Sequence, residues 1–328
     1  MKSYQRLLIF VLLVLALTAV VSPWAALWWD LISGAHIASP EDRIPFSRFF
    51  DRFFMISGIL LFFFCRSLLR INSLSQLGLV PRTRAAPDVA TGLCLSLGSM
   101  LMLGLAMALA QVYEPFFRLS LSESFQRCLT AVLSGFTVGF LEEIFFRGII
   151  FRGLLEDWKP IPAFIAANLF YSALHFVEPP EEYFLSGVDP LAGFRHLFST
   201  FAPFSEPAAI APGVIGLLLI GIVLSYAYVR TGVLYLSIGL HAGWVISIKT
   251  VRVFGDYRTE DLGWLFGSTD PKIVSGVATW IGVLLVGIAI YWLTRSRVGL
   301  PPTPDSERDD AATRGVGERL QSPRTRTH

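Results

Sequence analysis

Residues 7–29 and 89–113 carry no charged side chain, and several further stretches of similar length are almost as apolar. A run of about 20 apolar residues is the length of helix that crosses a bilayer. Few soluble folds can bury several such runs, so their repetition constrains the chain more than any motif does. Only 16% of the 328 residues are charged, against 53% hydrophobic, where a soluble domain carries about 25% charge. Mean hydropathy is +0.58. The expected class is an all-α, polytopic helical membrane bundle of about eight transmembrane helices, with the lipid bilayer as its solvent.

The expected spans are residues 7–29, 53–69, 89–113, 127–155, 161–177, 207–229, 232–250 and 273–294. The first follows Lys2 and Arg6 and resembles a signal peptide, but it continues through Trp24, Trp28 and Trp29 and reads as an uncleaved span with an interfacial aromatic belt. Pro160 and Pro162 suit the first turn of the fifth span, and Arg230-Thr-Gly232 reads as a tight turn. Residues 114–126 mix aromatic and polar side chains and read as lying in the membrane interface. Residues 178–206 read as a long loop that hugs the surface or folds over an opening.

The parts are expected to be N-terminal transmembrane helices at 1–124, a core at 125–255, a C-terminal transmembrane helix at 256–297 and a disordered tail at 298–328, too poor in apolar residues to fold. Lys and Arg counts favour both termini on the cytoplasmic side. The expected location is a bacterial inner (cell) membrane. The net charge of +2 comes with no basic stripe, so no nucleic-acid partner is expected. Cys65, Cys94 and Cys128 show no CxxC spacing and read as apolar fillers.

Ionisable groups at depth are few: Glu142, Glu143 and Arg147 on the fourth span, His175 on the fifth and His241 on the seventh. A charge at the bilayer centre is costly unless it faces protein or water, which makes each a functional candidate. At about 1.5 Å per residue, Glu142 and His175 lie roughly 20 Å from the cytoplasmic end and His241 roughly 14 Å. Three helices therefore offer polar groups at similar depth. Glu143 and Arg147, four residues apart, share a face and can pair, which leaves Glu142 facing elsewhere and available as a general base. The bland alternative is a Glu–Arg pair that locks helices together, with histidines that merely hydrogen-bond between them. A zinc site lacks the H-E-x-x-H spacing, so no metal and no cofactor are expected. Ser134, Ser172, Ser225 and Ser237 lie in spans, none within G-x-S-x-G. A proton-relay transporter would be supported by inverted repeats, and none is visible.

Three motifs in order, Glu142-Glu143-Ile-Phe-Phe-Arg147, Tyr171-Ser-Ala-Leu-His175 and His241-Ala-Gly-Trp-Val245, resemble the CAAX protease and bacteriocin-processing family of intramembrane glutamic endopeptidases, which includes the Ras-converting CAAX endopeptidase. The resemblance covers about residues 125–250. It implies a metal-independent hydrolase in which Glu142 and His175 activate water, Glu143 and Arg147 brace the site, and His241 with an asparagine forms an oxyanion hole. The substrate it implies is a membrane-associated peptide or protein with a C-terminal signal or prenylated segment. Tyr171 stands in the usual phenylalanine position, and Val245 stands where the asparagine is expected. Asn168 and Ser237 are the candidate replacement donors. A non-catalytic immunity, chaperone or scaffold member that binds membrane peptides is the alternative that Val245 motivates.

Overall fold

The computed structural model describes residues 1–33, 44–80, 83–177, 184, 185, 187, 189–259, 261–267 and 273–296. The expected disordered tail at 298–328 lies outside the described residues, as do Glu178, Glu181 and Glu182 of the long loop 178–206.

The helices are α1 (Ser3–Ser33), α2 (Phe46–Cys65), α3 (Ala85–Leu109), α4 (Leu121–Glu143), α5 (Pro160–Leu174), α6 (Ala192–Ser199), α7 (Pro207–Thr231), α8 (Tyr235–Thr250), the short α9 (Gly263–Phe266) and α10 (Val277–Thr294). Every stretch expected to span contains one of them. Five rods, Ser3–Ser33, Ala85–Leu109, Leu121–Leu154, Pro207–Thr231 and Val277–Thr294, are long and apolar enough to cross a membrane. The other three are shorter or more charged: α5 has 15 residues, α8 has 16, and α2 carries Arg48, Asp51 and Arg52. Large apolar side chains such as Leu101, Met102, Leu133, Leu285 and Ile288 point outward, as a lipid-facing surface requires.

Three local expectations change. The fourth span starts at Leu121 and not near Arg127, because Ser120 and Glu123 form a reciprocal capping box. The S-x-x-E spacing carries that signal. The stretch 114–126 divides between a two-stranded ribbon, where residues 113–115 pair antiparallel with Gly255–Tyr257 and Tyr113 stands opposite Tyr257, and the start of α4 at Leu121. The region 178–206 contains α6, which docks on α1 and α2. Ala192 of α6 is 1% exposed beside Ala19, Phe46 and Phe50.

At the end of α7, Gly232 adopts φ 70°, and its N–H caps the Tyr228 carbonyl, the left-handed stop that glycine supplies. The chain then enters α8, which is buried continuously from Leu236 to Trp244. It packs mainly on α3 and α4. Glycines set these approaches. A Cβ on Gly92 of α3 would collide with the Leu236 carbonyl, and one on Gly239 of α8 with that of Val89. On α4 the buried residues Ala131, Gly135, Gly139 and Glu143 recur every fourth position. This small-residue stripe lets two backbones close together, and it ends on Glu143.

Candidate active site

The α4 rod does not stay α-helical past its carboxylates. Ile144–Phe151 is a π-helix, closed by a last α turn at Arg152–Leu154. The Arg152 N–H reaches the Arg147 carbonyl, five residues back. Such widened turns recur at functional sites. Six successive residues, Phe146 to Phe151, are buried, so the rod is surrounded by protein just beyond the glutamates.

Glu143 and Arg147 have side chains 0% and 1% exposed. Arg147 Nη1 donates to Glu143 Oε1 at 2.7 Å, Nη2 to the Gly221 carbonyl at 3.0 Å and Nε to Ser225 Oγ at 3.2 Å. Ser225 in turn donates to Asn168 Oδ1 at 2.9 Å. The Arg147 guanidinium carbon lies 4.7 Å from the centroid of the Tyr171 ring, a favourable cation–π distance. Gly221 makes room for this cluster, since a Cβ there would meet Tyr171 at 2.9 Å and Asn168 at 3.0 Å.

The gathering of polar groups from three helices is direct. His241 Nδ1 lies 2.8 Å from Glu143 Oε1. Its Nε2 lies 3.7 Å from Glu142 Oε2, and His175 Nε2 lies 3.7 Å from the same oxygen. His175 sits at the C-cap of α5, where its Nδ1 donates to the Tyr171 carbonyl at 2.8 Å. A carbonyl only accepts, so Nδ1 carries the hydrogen and Nε2 of the neutral ring presents a lone pair towards Glu142. The rings of Tyr171 and His175 meet at a tilt of 56°, with centroids 4.5 Å apart.

Accessibility divides the cluster. Glu142 and His175 side chains are 31% and 29% exposed, whereas Glu143, Arg147 and His241 are 6% or less. Glu142 and His175 are thus the pair that a substrate can reach, and the other three lie beneath them. Glu142 Oε2 is itself buried and has no hydrogen-bond partner among the described residues.

The two candidate replacement donors are engaged elsewhere. Asn168 binds Ser225 and donates to the Phe164 carbonyl at 2.8 Å, so it belongs to the layer around Arg147. Ser237 donates to the Leu234 carbonyl at 2.9 Å. Among the described residues, no group of three or more His, Cys, Asp or Glu side chains is arranged to hold a metal ion.

Gly221 and Ser225 were not singled out from the sequence as parts of the site. Their signal is a small-xxx-small step on α7, the spacing that marks close helix contact in membranes.

A family model described as Rce1-like, type II CAAX prenyl endopeptidase Rce1-like, matches residues 123–247. The matched stretch runs from the first turn of α4 to near the end of α8 and contains all five of the clustered ionisable residues. No curated protein and no solved structure gives a match to the chain.

Proposed function

This integral membrane chain carries an Rce1-like domain of the CAAX protease family at residues 123–247, and on that premise we propose that it is a metal-independent glutamic endopeptidase acting inside the membrane. The observation that carries the reading is the placement of one carboxylate oxygen, Glu142 Oε2, 3.7 Å from the Nε2 atoms of both His175 and His241. A water molecule hydrogen-bonds comfortably to two groups at that separation. It donates one hydrogen to Glu142 and the other to the His175 lone pair, leaving an oxygen lone pair for the peptide carbonyl. Glu142 takes the proton as the C–O bond forms and returns it to the amide nitrogen as the C–N bond breaks.

In this mechanism His241 donates from Nδ1 to Glu143 and from Nε2 to the developing oxyanion. Glu143 and Arg147 touch no substrate; they position His241. The proposed substrate is a membrane-associated peptide with a C-terminal signal or prenylated segment. Cleavage of such a peptide by the reconstituted full chain, compared with Glu142→Ala and His175→Ala, tests the reading. Unchanged cleavage in both variants sinks it.

A second reading has its own support. Val245, one turn beyond His241, offers no donor, and Asn168 and Ser237 both point their polar groups into other bonds. Loss of one oxyanion donor costs about 10²–10³ in rate. On this reading the chain binds membrane peptides as an immunity, chaperone or scaffold protein. It requires Val245→Asn to create or greatly raise turnover. Brisk cleavage by the unaltered chain rules it out.

A further inference from the structure

Buried positive charge gathers a second time, where α1 begins and the α4 rod ends. Arg6 and Arg152 are 5% and 6% exposed. Both line a small surface pocket with Ser3 and Glu156, against buried apolar residues that include Leu7 and Ile71. Arg6 pairs with Glu156 through Nη2. Its Nη1, Arg152 Nη2 and Ser3 Oγ are buried without a hydrogen-bond partner among the described residues. Asp157 takes the Ser3 backbone N–H and is drawn to Lys2 as well as to Arg6. Inside the pocket, two guanidinium groups face one carboxylate, which leaves one positive charge in excess.

Buried guanidinium donors without acceptors are costly, and an anion relieves that cost. The surroundings indicate what kind. Tyr4 and Trp158 stand beside the pocket, 39% and 37% exposed, with ring centroids 6.5 Å apart. Half-exposed Tyr and Trp rings mark the level of lipid headgroups. A basic pocket between membrane helices at that level suits an anionic headgroup. We propose that this pocket seats the phosphate of an anionic phospholipid against Arg6, Arg152 and Ser3. The site is separate from the Glu142 cluster and does not depend on the reading of that cluster.

The test uses the delipidated full chain in detergent, with phosphatidylglycerol, phosphatidylcholine and inorganic phosphate as probes. Binding is read by native mass spectrometry and by the shift in melting temperature. Phosphatidylglycerol is expected to bind and to raise the melting temperature more than phosphatidylcholine does. Arg6→Gln and Arg152→Gln are each expected to weaken that binding tenfold or more, and Arg152→Lys to retain most of it. Without lipid, Arg152→Gln is expected to melt no lower than the unaltered chain, because it removes a buried donor that lacks a protein acceptor. Undiminished phosphatidylglycerol binding by Arg152→Gln overturns the site. So does a lipid-free Arg152→Gln that melts well below the unaltered chain, which would show Arg152 already partnered by the fold. Saturation by inorganic phosphate that displaces phosphatidylglycerol reassigns the pocket to a free anion and overturns the lipid proposal.

Discussion

Glu143 Oε1 receives His241 Nδ1 at 2.8 Å and Arg147 Nη1 at 2.7 Å, so one oxygen ties α8 to the α4 rod and to the guanidinium that the same rod carries. Adjacent in sequence, Glu142 and Glu143 are opposite in character: one side chain is 31% exposed and the other is fully buried. Their variants should therefore separate. Glu143→Gln leaves Arg147 and His241 poorly matched and is expected to cost about 3–5 kcal/mol, the usual result of breaking a buried ion pair from one side. Glu142→Gln is expected to leave the melting temperature unchanged or raised while lowering turnover by about 10² or more. Thermal melting beside a cleavage assay checks both.

Ser225 bridges Arg147 Nε and Asn168 Oδ1. Ser225→Ala removes the bridge and leaves both partners buried. A loss of about 1–3 kcal/mol in stability is expected for such unsatisfied groups. Ser225→Ala combined with Asn168→Ala should cost less than the sum of the two single changes, since both belong to one network. A double-mutant cycle by denaturant or thermal melting measures the coupling.

Gly139 sets how closely α8 approaches α4, because a Cβ there would stand 3.0 Å from the Ala242 N–H nitrogen. Gly139→Val is expected to push α8 outward and to destabilise the bundle by about 1–3 kcal/mol through overpacking. Displacing His241 by about 1 Å should lower turnover by about 10². Gly104, around which a Cβ would meet nothing, provides the control: Gly104→Ala should change neither quantity.

Burial pushes the His196 imidazole down from 6.5 to about 4. The ring lies against Phe46 and Phe50, with centroids 5.3 and 4.7 Å away, and so must stay neutral while α6 is docked. The undocked ring binds a proton near pH 6.5, whereas the docked ring refuses it until about pH 4. The docked state therefore loses stability as pH falls between those values and is unaffected above them. Hydrogen exchange of residues 192–199 should rise as pH falls from 7 to 4.5, after correction for intrinsic exchange. His196→Phe should flatten that dependence.

The spans were legible because a charge-free run stands out against any background, and the ionisable cluster was legible because charges inside such runs are rare. Other features lacked a comparable signal. The π-helix at Ile144–Phe151 lies in a segment apolar on every side, where hydrophobic periodicity gives no means of telling a widened helix from a regular one. The pairing of Tyr113 with Tyr257 joins segments far apart in sequence, and each strand has only three residues. The α6 helix lies within a polar, aromatic stretch that reads equally well as surface loop. Gly221 carried no signal of its own and Ser225 was weighed only as a nucleophile, because small residues are common in membrane helices; the position of Arg147 gives these two a purpose.

The continuous burial of α8 from Leu236 to Trp244 also bears on how the bundle is put together. Sixteen residues span about 24 Å as a helix, less than the roughly 30 Å of a hydrocarbon core. This helix also carries a histidine at mid-length. Alone in lipid it would be a poor resident. Its place is a slot lined by the glycines of α3 and α4, which exists only once those two helices stand side by side. The contact between His241 and Glu143 therefore requires α3 and α4 to be paired, since their glycines form the slot that α8 occupies.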